Sequence, residues 1–206
     1  MSDSQFDVVV FGATSFVGQI LCQYLFDTYG TDGELKWAAA GRSQDKLEQV
    51  KASLGDAAST LPLITANAND ADSLDALCAQ TRVVVSTVGP YALYGEPMIK
   101  ACVNSGTDYC DLTGEAQWIA DMLEQYEATA KKNGARIVHC CGFDSIPSDM
   151  GVYFLQQQAQ ARFNAPASTV RMRVKVAKGG VSGGTVASMM NIAEEAGKDP
   201  ALRKKL

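Results

Sequence analysis

The sequence is poor in the residues that build metal centres and disulfide frameworks. It has a single histidine, His139, and its six cysteines show neither a CxxC motif nor paired spacing. In a chain of 206 residues, long enough to bury a hydrophobic core, such cysteines are typical of reduced cytosolic thiols. We therefore expect no metal centre, and we expect His139, which lies in an apolar stretch, to be a hydrogen-bonded core residue.

Long apolar runs, basic clusters and a signal-like beginning are also absent. The apolar run at residues 83–88 is far shorter than the roughly 18 residues of a membrane span. Lys and Arg number 18 against 23 Asp and Glu, and the resulting net charge of −5 disfavours a nucleic acid partner. We therefore expect a cytoplasmic protein without a transmembrane segment. Peripheral membrane association stays open, and a homodimer is compatible with these residues.

The chain does contain a regular alternation of short apolar runs and longer amphipathic runs, which is typical of a parallel α/β sheet. Strands are predicted at residues 6–11, 35–40, 61–66, 82–88, 108–112 and 135–140, each followed by a helical pattern. Six strand-to-helix alternations within about 160 residues favour a Rossmann-type doubly wound parallel sheet.

The pattern changes after residue 163. Residues 169–177 alternate polar and apolar side chains, which predicts a strand with one solvated face. A glycine-rich turn, GGVSGGT, leads into a helix predicted at residues 185–197, and the last residues begin another helix. Because these elements cannot close a core, we predict a Rossmann domain over residues 1–163 and the beginning of an incomplete second, α/β substrate domain over residues 164–206.

The most informative segment is GATSFVG, directly after the first predicted strand. Gly12 suits a tight turn, Gly18 lets the helix lie close to the strand, and the start of the helix offers free N–H groups to phosphates. Ser15 stands where the middle glycine of the dinucleotide fingerprint usually lies. A structural turn is the alternative to a pyrophosphate site. The residues predicted to bind the coenzyme here are Gly12, Ala13, Thr14, Ser15, Phe16, Val17 and Gly18.

The end of the second strand discriminates between NAD and NADP. The carboxylate that would bind the ribose 2′-hydroxyl of NAD is missing from the sequence AGRS at residues 40–43. Arg42 can pair with a 2′-phosphate through two hydrogen bonds, and Ser43 can add a donor. This pattern favours NADP as the cofactor, unless Arg42 is only a solvated residue at the start of a helix.

Two further loops follow the carboxyl ends of strands, where ligands of such sheets bind. Tyr91, after the fourth strand, either contacts the nicotinamide and donates a proton or packs the turn as a buried aromatic residue. Asp144, after the sixth strand, either lines the nicotinamide or the substrate or belongs to a capped helix start. These two are the candidate catalytic residues. The residues predicted to line the nicotinamide ribose are Thr87, Val88, Gly89 and Pro90.

Six motifs in order, GATSFVG, AGRS, STVGPYALYGEP, DYCDLTGE, GFDSIPSDMG and GGVSGGT, make the chain resemble the saccharopine dehydrogenase-like oxidoreductases. This family includes the trans-acting enoyl reductases, and the resemblance covers nearly the whole chain. It implies an NADP-binding Rossmann domain followed by a domain that shapes the substrate site. It also implies hydride transfer to or from a C=C, C=N or C=O group of an organic substrate, with a lipid-linked one compatible.

Two other reductase mechanisms find little support. None of the seven tyrosines is followed by lysine four residues later, as the short-chain dehydrogenases require. Cys140 and Cys141 end a predicted strand, which disfavours the thiolate of semialdehyde dehydrogenases. Two classes therefore stay open. One is an NADP-dependent oxidoreductase, of which this chain alone would bind NADPH with little turnover. The other is a non-catalytic NADP-binding redox sensor or scaffold.

Overall fold

A computed structural model describes residues 4–176, 178–180 and 182–198. Its centre is a parallel sheet with the strand order β3-β2-β1-β4-β5-β6. The strands are β1 (Phe6–Phe11), β2 (Trp37–Gly41), β3 (Leu63–Thr65), β4 (Thr81–Ser86), β5 (Asp108–Asp111) and β6 (Ile137–Val138). The strand order reverses beside β1, between β1 and β4, and this confirms the predicted doubly wound Rossmann-type sheet.

Helices follow the strands and cover both faces of the sheet. They are α1 (Phe16–Tyr29), α2 (Gln44–Ser53), α3 (Ala71–Cys78), α4 (Tyr91–Tyr94), α5 (Glu96–Ser105), α6 (Ala116–Asn133), α7 (Ile146–Phe163) and α8 (Gly183–Lys198). The helix α6 ends at Asn133 because Gly134 adopts the left-handed conformation there. The single turn α4 was not predicted, since four residues are too few to show a helical period.

The core lies on both faces of the sheet, as the continuous apolar run of β1 indicates. Successive side chains of a strand point to opposite faces. Val9 accordingly packs into a cluster with Leu74 and Val84, and Val10 packs into a second cluster with Trp37 and Leu47. Burial on both sides is what a central strand of a parallel sheet requires.

After residue 163, α8 confirms the helix predicted at residues 185–197, but the predicted strand is wrong. Residues 169–176 form no strand, and Ala177 and the helix expected near the end lie outside the described residues. A strand needs a neighbour for its backbone hydrogen bonds, and no described segment pairs with these residues. Met172, Val174 and Val176 are consequently exposed.

Neither α7 nor α8 contains a buried residue, so the described core is built from the sheet and the helices α1–α6. The boundary at residues 163 and 164 stays a prediction. Across residues 4–176, 178–180 and 182–198, no helix combines the length and apolar character needed to cross a membrane. Within the same ranges, no group of three or more His, Cys, Asp or Glu side chains is placed to hold a metal ion.

Candidate functional site

The GATSFVG loop makes a tight connection between β1 and α1. Gly12 has a φ of 91°, and a Cβ added to it would lie 2.6 Å from Thr87 Oγ1. A Cβ at Gly18 would lie 2.2 Å from the carbonyl oxygen of Gly12. Both glycines therefore allow close contacts, Gly12 with the loop after β4 and Gly18 between the loop and the helix, as the sequence predicted.

The beginning of α1 presents amides that are available to an anion. The amides of Gly12 and Ala13 donate to the carbonyl of Ala40, so they are used within the fold. The amides of Thr14, Phe16 and Val17 have no hydrogen-bond partner in the part of the chain that the structure describes. Unpaired N–H groups at a helix N-terminus, aided by the helix dipole, fit a pyrophosphate.

Ser15 has a structural role that the sequence did not reveal. Its Oγ accepts the amide of Gly18 at 2.9 Å and lies 2.9 Å from Thr87 Oγ1. Thr87 Oγ1 in turn donates to the carbonyl of Gly12 at 2.8 Å. Because that bond uses the proton of Thr87, the hydroxyl of Ser15 donates to Thr87. Ser15 thus caps α1 and ties it to the loop after β4.

We expect Ser15→Ala to lower the free energy of unfolding by about 1–2 kcal/mol, because it removes both the cap and the bond to Thr87. Ser43→Ala is the matched control: Ser43 caps α2 by accepting the amide of Lys46 at 3.4 Å, without a cross-strand bond. Urea denaturation of the two variants measures the difference. An equal loss in both would contradict the tie between Ser15 and Thr87.

Arg42 directly follows β2, at the carboxyl edge of the sheet. Its side chain is exposed, and within the described ranges it forms no ion pair with a carboxylate. Ser43 uses its oxygen as a helix cap, which leaves its hydroxyl proton free to donate. The guanidinium and the hydroxyl therefore fit a ribose 2′-phosphate.

A cleft of about 280 Å³ runs along the carboxyl edge of the sheet, between the start of α1 and Arg42. Gly12, Thr14, Ser15 and Arg42 line one part of it, and the loop at residues 87–89 lines another. Several lining residues were not predicted, although the carboxyl end of the third strand must reach the same edge. They are Ala66, Asn67, Ala68, Asn69 and Tyr94.

A second cavity of about 300 Å³ lies on the other side of the same loop. It shares Ser15, Thr87 and Gly89 with the cleft, so the two spaces meet at these residues. Its lining is mostly apolar, with a few hydroxyl and carboxylate groups. The apolar members include Phe16, Val17, Leu112, Met189 and Ile192.

The structure places most of the predicted coenzyme residues around these two spaces. Thr14 and Val88 line the cleft, and Phe16 and Val17 line the cavity, where Phe16 is 68% exposed. Four predicted residues line neither space: Ala13, Gly18, Ser43 and Pro90. Their part in binding the coenzyme stays a prediction.

Tyr91 lines the cavity with its ring, but its hydroxyl takes part in the fold. The hydroxyl donates to the carbonyl of Ser86 at 3.0 Å and accepts the amide of Leu112 at 3.4 Å. Burial raises the pKa of Tyr91, and the nearby carboxylate of Asp111 raises it further. The ring packs 5.6 Å from Trp118 between centroids. A catalytic role for this hydroxyl would require it to leave the bond to Ser86.

Asp144 is exposed at the edge of the cavity, and its carboxylate has no hydrogen-bond partner in the described ranges. The glycine-rich segment before α8 also reaches the cavity, through Ser182, Gly184 and Thr185. Ser182 Oγ accepts the amide of Thr185 at 3.2 Å. Ser182 therefore caps the first turn of α8.

The remaining titratable residues near the sheet edge belong to the fold. His139 Nδ1 lies 2.7 Å from Asp111 Oδ2, and its side chain is 9% exposed, which confirms a hydrogen-bonded core histidine. All six cysteines are free thiols. Burial raises the pKa of Cys110 to about 12 and also raises that of Cys141, which disfavours a thiolate mechanism at this edge.

The fold and the cleft together define a dinucleotide-binding Rossmann domain, with Arg42 lining the cleft after β2. Residues 8–138 match the family described as saccharopine dehydrogenase NADP-binding domain. The chain belongs to this family, and its cofactor is NADP. The resemblance drawn from the six motifs is thereby confirmed.

Curated relatives cover nearly the whole chain. A Mycobacterium bovis protein named trans-acting enoyl reductase is 38% identical over 204 residues, 98% of this chain and 48% of the relative. A Mycobacterium leprae protein of the same name is 39% identical over 201 residues, 97% of this chain and 47% of the relative. A Mycobacterium tuberculosis protein given that name provisionally is 43% identical over 202 residues, with coverages of 98% and 48%. The chain thus spans about half the length of these relatives.

Among solved structures, apo saccharopine dehydrogenase (L-Glu forming) from Saccharomyces cerevisiae is similar in fold. The TM-score is 0.59 at 19% identity, over 76% of this chain and 32% of the other. At this identity the similarity supports the Rossmann-type fold alone.

Proposed function

We propose that this chain binds NADPH and presents it to an unsaturated acyl substrate, as part of an NADP-dependent enoyl reductase. The observation that carries the proposal is the junction of the coenzyme cleft with a mostly apolar cavity at Ser15, Thr87 and Gly89. The trans-acting enoyl reductases among its relatives, at 38–39% identity, supply the reaction class.

On the coenzyme side, each group of NADPH has a fitting partner. The amides of Thr14, Phe16 and Val17 would hold the pyrophosphate, and Arg42 with Ser43 would hold the 2′-phosphate. The loop at residues 87–89 would fix the nicotinamide end beside the cavity. Bound NADPH supplies the hydride.

On the substrate side, the cavity favours an acyl chain over an amino acid. Phe16, Leu112 and Ile192 give it apolar walls, which suit an apolar chain. Among its described lining residues there is no Lys or Arg, whereas an amino-acid substrate with several carboxylates would need such cations. A lipid-linked enoyl group combines an apolar chain with a reducible C=C bond and carries no set of carboxylates.

The carbon that does not receive the hydride must take up a proton. Asp144 lies at the cavity with a free carboxylate and is the candidate to relay that proton from a water molecule, which is its source. Tyr91 is the second candidate, once its hydroxyl is released from Ser86. We further propose that residues 164–206 belong to a substrate domain, because α8 lines the cavity without being part of the core.

The test is turnover with a C=C substrate. The 206-residue chain is expected to bind NADPH and reduce little, whereas a chimera that adds the remaining half of the 38% identical relative should oxidise NADPH with an enoyl thioester. One saturated thioester should form for each NADPH that is oxidised. Asp144→Asn in the chimera should lower kcat and leave the NADPH dissociation constant unchanged.

Tight NADPH binding by the chimera without turnover of enoyl, keto or imine substrates would overturn the reductase. That result would favour the alternative, a non-catalytic NADP-binding sensor or scaffold. If a keto or imine substrate is reduced faster than any enoyl thioester, the protein is still an oxidoreductase, but the proposed enoyl substrate class is wrong.

A further inference from the structure

Glu115 is a fully buried carboxylate beside the cavity. It closes the DYCDLTGE motif at the start of α6, and only 1% of its surface is exposed. A buried carboxylate is costly unless it is paired or hydrogen-bonded. No Lys, Arg or His in the described ranges forms an ion pair with it. Its stability inside the protein therefore depends on hydrogen-bond donors.

Two of these donors are the first amides of α4. Tyr91 N–H donates to Oε1 and Ala92 N–H donates to Oε2, each at 2.9 Å. The first amides of a helix have no partner within the helix, so the carboxylate is what pairs them. Both bonds are charge-assisted, and they fix the position of the turn that follows Gly89 and Pro90.

The third donor comes from the far side of the cavity. Ser188 Oγ, on α8, donates to Glu115 Oε1 at 2.8 Å. Ser188 is separated from Glu115 by 73 positions in the sequence, and it lines the cavity together with Met189 and Ile192. One carboxylate thus contacts both the coenzyme loop and the helix that forms the opposite wall.

The geometry points to Glu115 as a positioning residue that holds α8 in register with the loop at the nicotinamide end of the cleft. The distance between the hydride donor and the substrate wall then depends on this carboxylate. The inference rests on the proposed function only in treating α8 as the substrate wall. The backbone of Glu115 is also held in place, because its amide donates a hydrogen bond to Thr113 Oγ1 at 3.1 Å.

Only a carboxylate satisfies all three donors. Both oxygens of Glu115 accept, whereas the amide of a glutamine would turn an N–H group toward a backbone N–H. Glu115→Gln keeps the size of the side chain and leaves one donor unpaired. Glu96→Gln is the matched control, because the exposed Glu96 accepts a single hydrogen bond within the described ranges, from the hydroxyl of Tyr126 at 2.8 Å.

The test measures amide exchange by NMR and coenzyme affinity on the 206-residue chain. In Glu115→Gln we expect the Tyr91 and Ala92 amides and those of α8 to exchange at least about tenfold faster. The amides of β1 and β4 should keep the rates seen in Glu96→Gln. The dissociation constants of NADPH and NADH should both rise, by about fivefold to tenfold, because the loop contacts the part that the two coenzymes share.

Ser188→Ala separates the two connections of the carboxylate. It should speed exchange in α8 while the Tyr91 and Ala92 amides stay slow, and it decides the matter if Glu115→Gln fails to fold. Unchanged exchange of α8 in Ser188→Ala would overturn the proposal, and so would a uniform acceleration that includes β1. Neither readout depends on turnover, so the positioning role and the reductase can fail separately.

Discussion

Replacing Gly18 by alanine is expected to destabilise the protein strongly and to abolish tight NADPH binding. The new Cβ would lie 2.2 Å from the carbonyl oxygen of Gly12 and 2.9 Å from Ala13 Cα. Both neighbours are backbone atoms between a central strand and its helix, so they cannot turn aside as a side chain would. The helix must move away from the loop, which disrupts the cap at Ser15 and displaces the free amides. We expect a loss of about 2–4 kcal/mol.

Thermal unfolding and a fluorescence titration with NADPH measure the two effects. For a domain of this size the midpoint should fall by roughly 10 °C. Gly151→Ala is the matched control, because Gly151 lies within α7 and its Cβ would meet no atom within 4 Å. There, alanine should stabilise the helix by about 0.5–1 kcal/mol. A Gly18→Ala protein with normal stability and NADPH affinity would show that the close packing of α1 is not needed.

The pattern of the sequence was sufficient for the central features of the fold. The run at Phe6–Phe11 and the glycines Gly12 and Gly18 act through local geometry, which residue spacing captures. The bounds of α6 were also predictable, because a capping glycine ends a long amphipathic pattern. These features place the coenzyme cleft.

Other parts of the site depend on contacts between distant residues. Ser15 meets Thr87 across 72 positions, and Glu115 meets Tyr91 across 24. No local pattern shows that Ser15 will both cap α1 and bond to the loop after β4, or that Glu115 will be buried. The strand expected at residues 169–177 depended on a partner strand that the described chain does not supply.

Arg42→Ala should weaken NADPH binding by about 1.5–3 kcal/mol, which is roughly 10-fold to 150-fold in the dissociation constant. The guanidinium lies in the cleft without a carboxylate partner in the described ranges, so it is available to a 2′-phosphate. NADH lacks that phosphate and should bind nearly as before. Parallel fluorescence titrations with the two coenzymes measure how much affinity each one loses. The difference between the NADPH loss and the NADH loss should become smaller at high salt, because the contact is exposed.

Arg42→Lys and Arg162→Ala make the comparison specific. Lysine keeps the charge but cannot form the two parallel hydrogen bonds, so it should recover part of the lost affinity. Arg162, in the last turn of α7, lines neither the cleft nor the cavity, so its loss tests for a general effect of net charge. Equal losses of NADPH and NADH affinity in Arg42→Ala would refute the 2′-phosphate contact, because only a residue acting on the shared part of the coenzymes would weaken both. Loss of NADPH affinity alone would assign the choice of coenzyme to this one guanidinium.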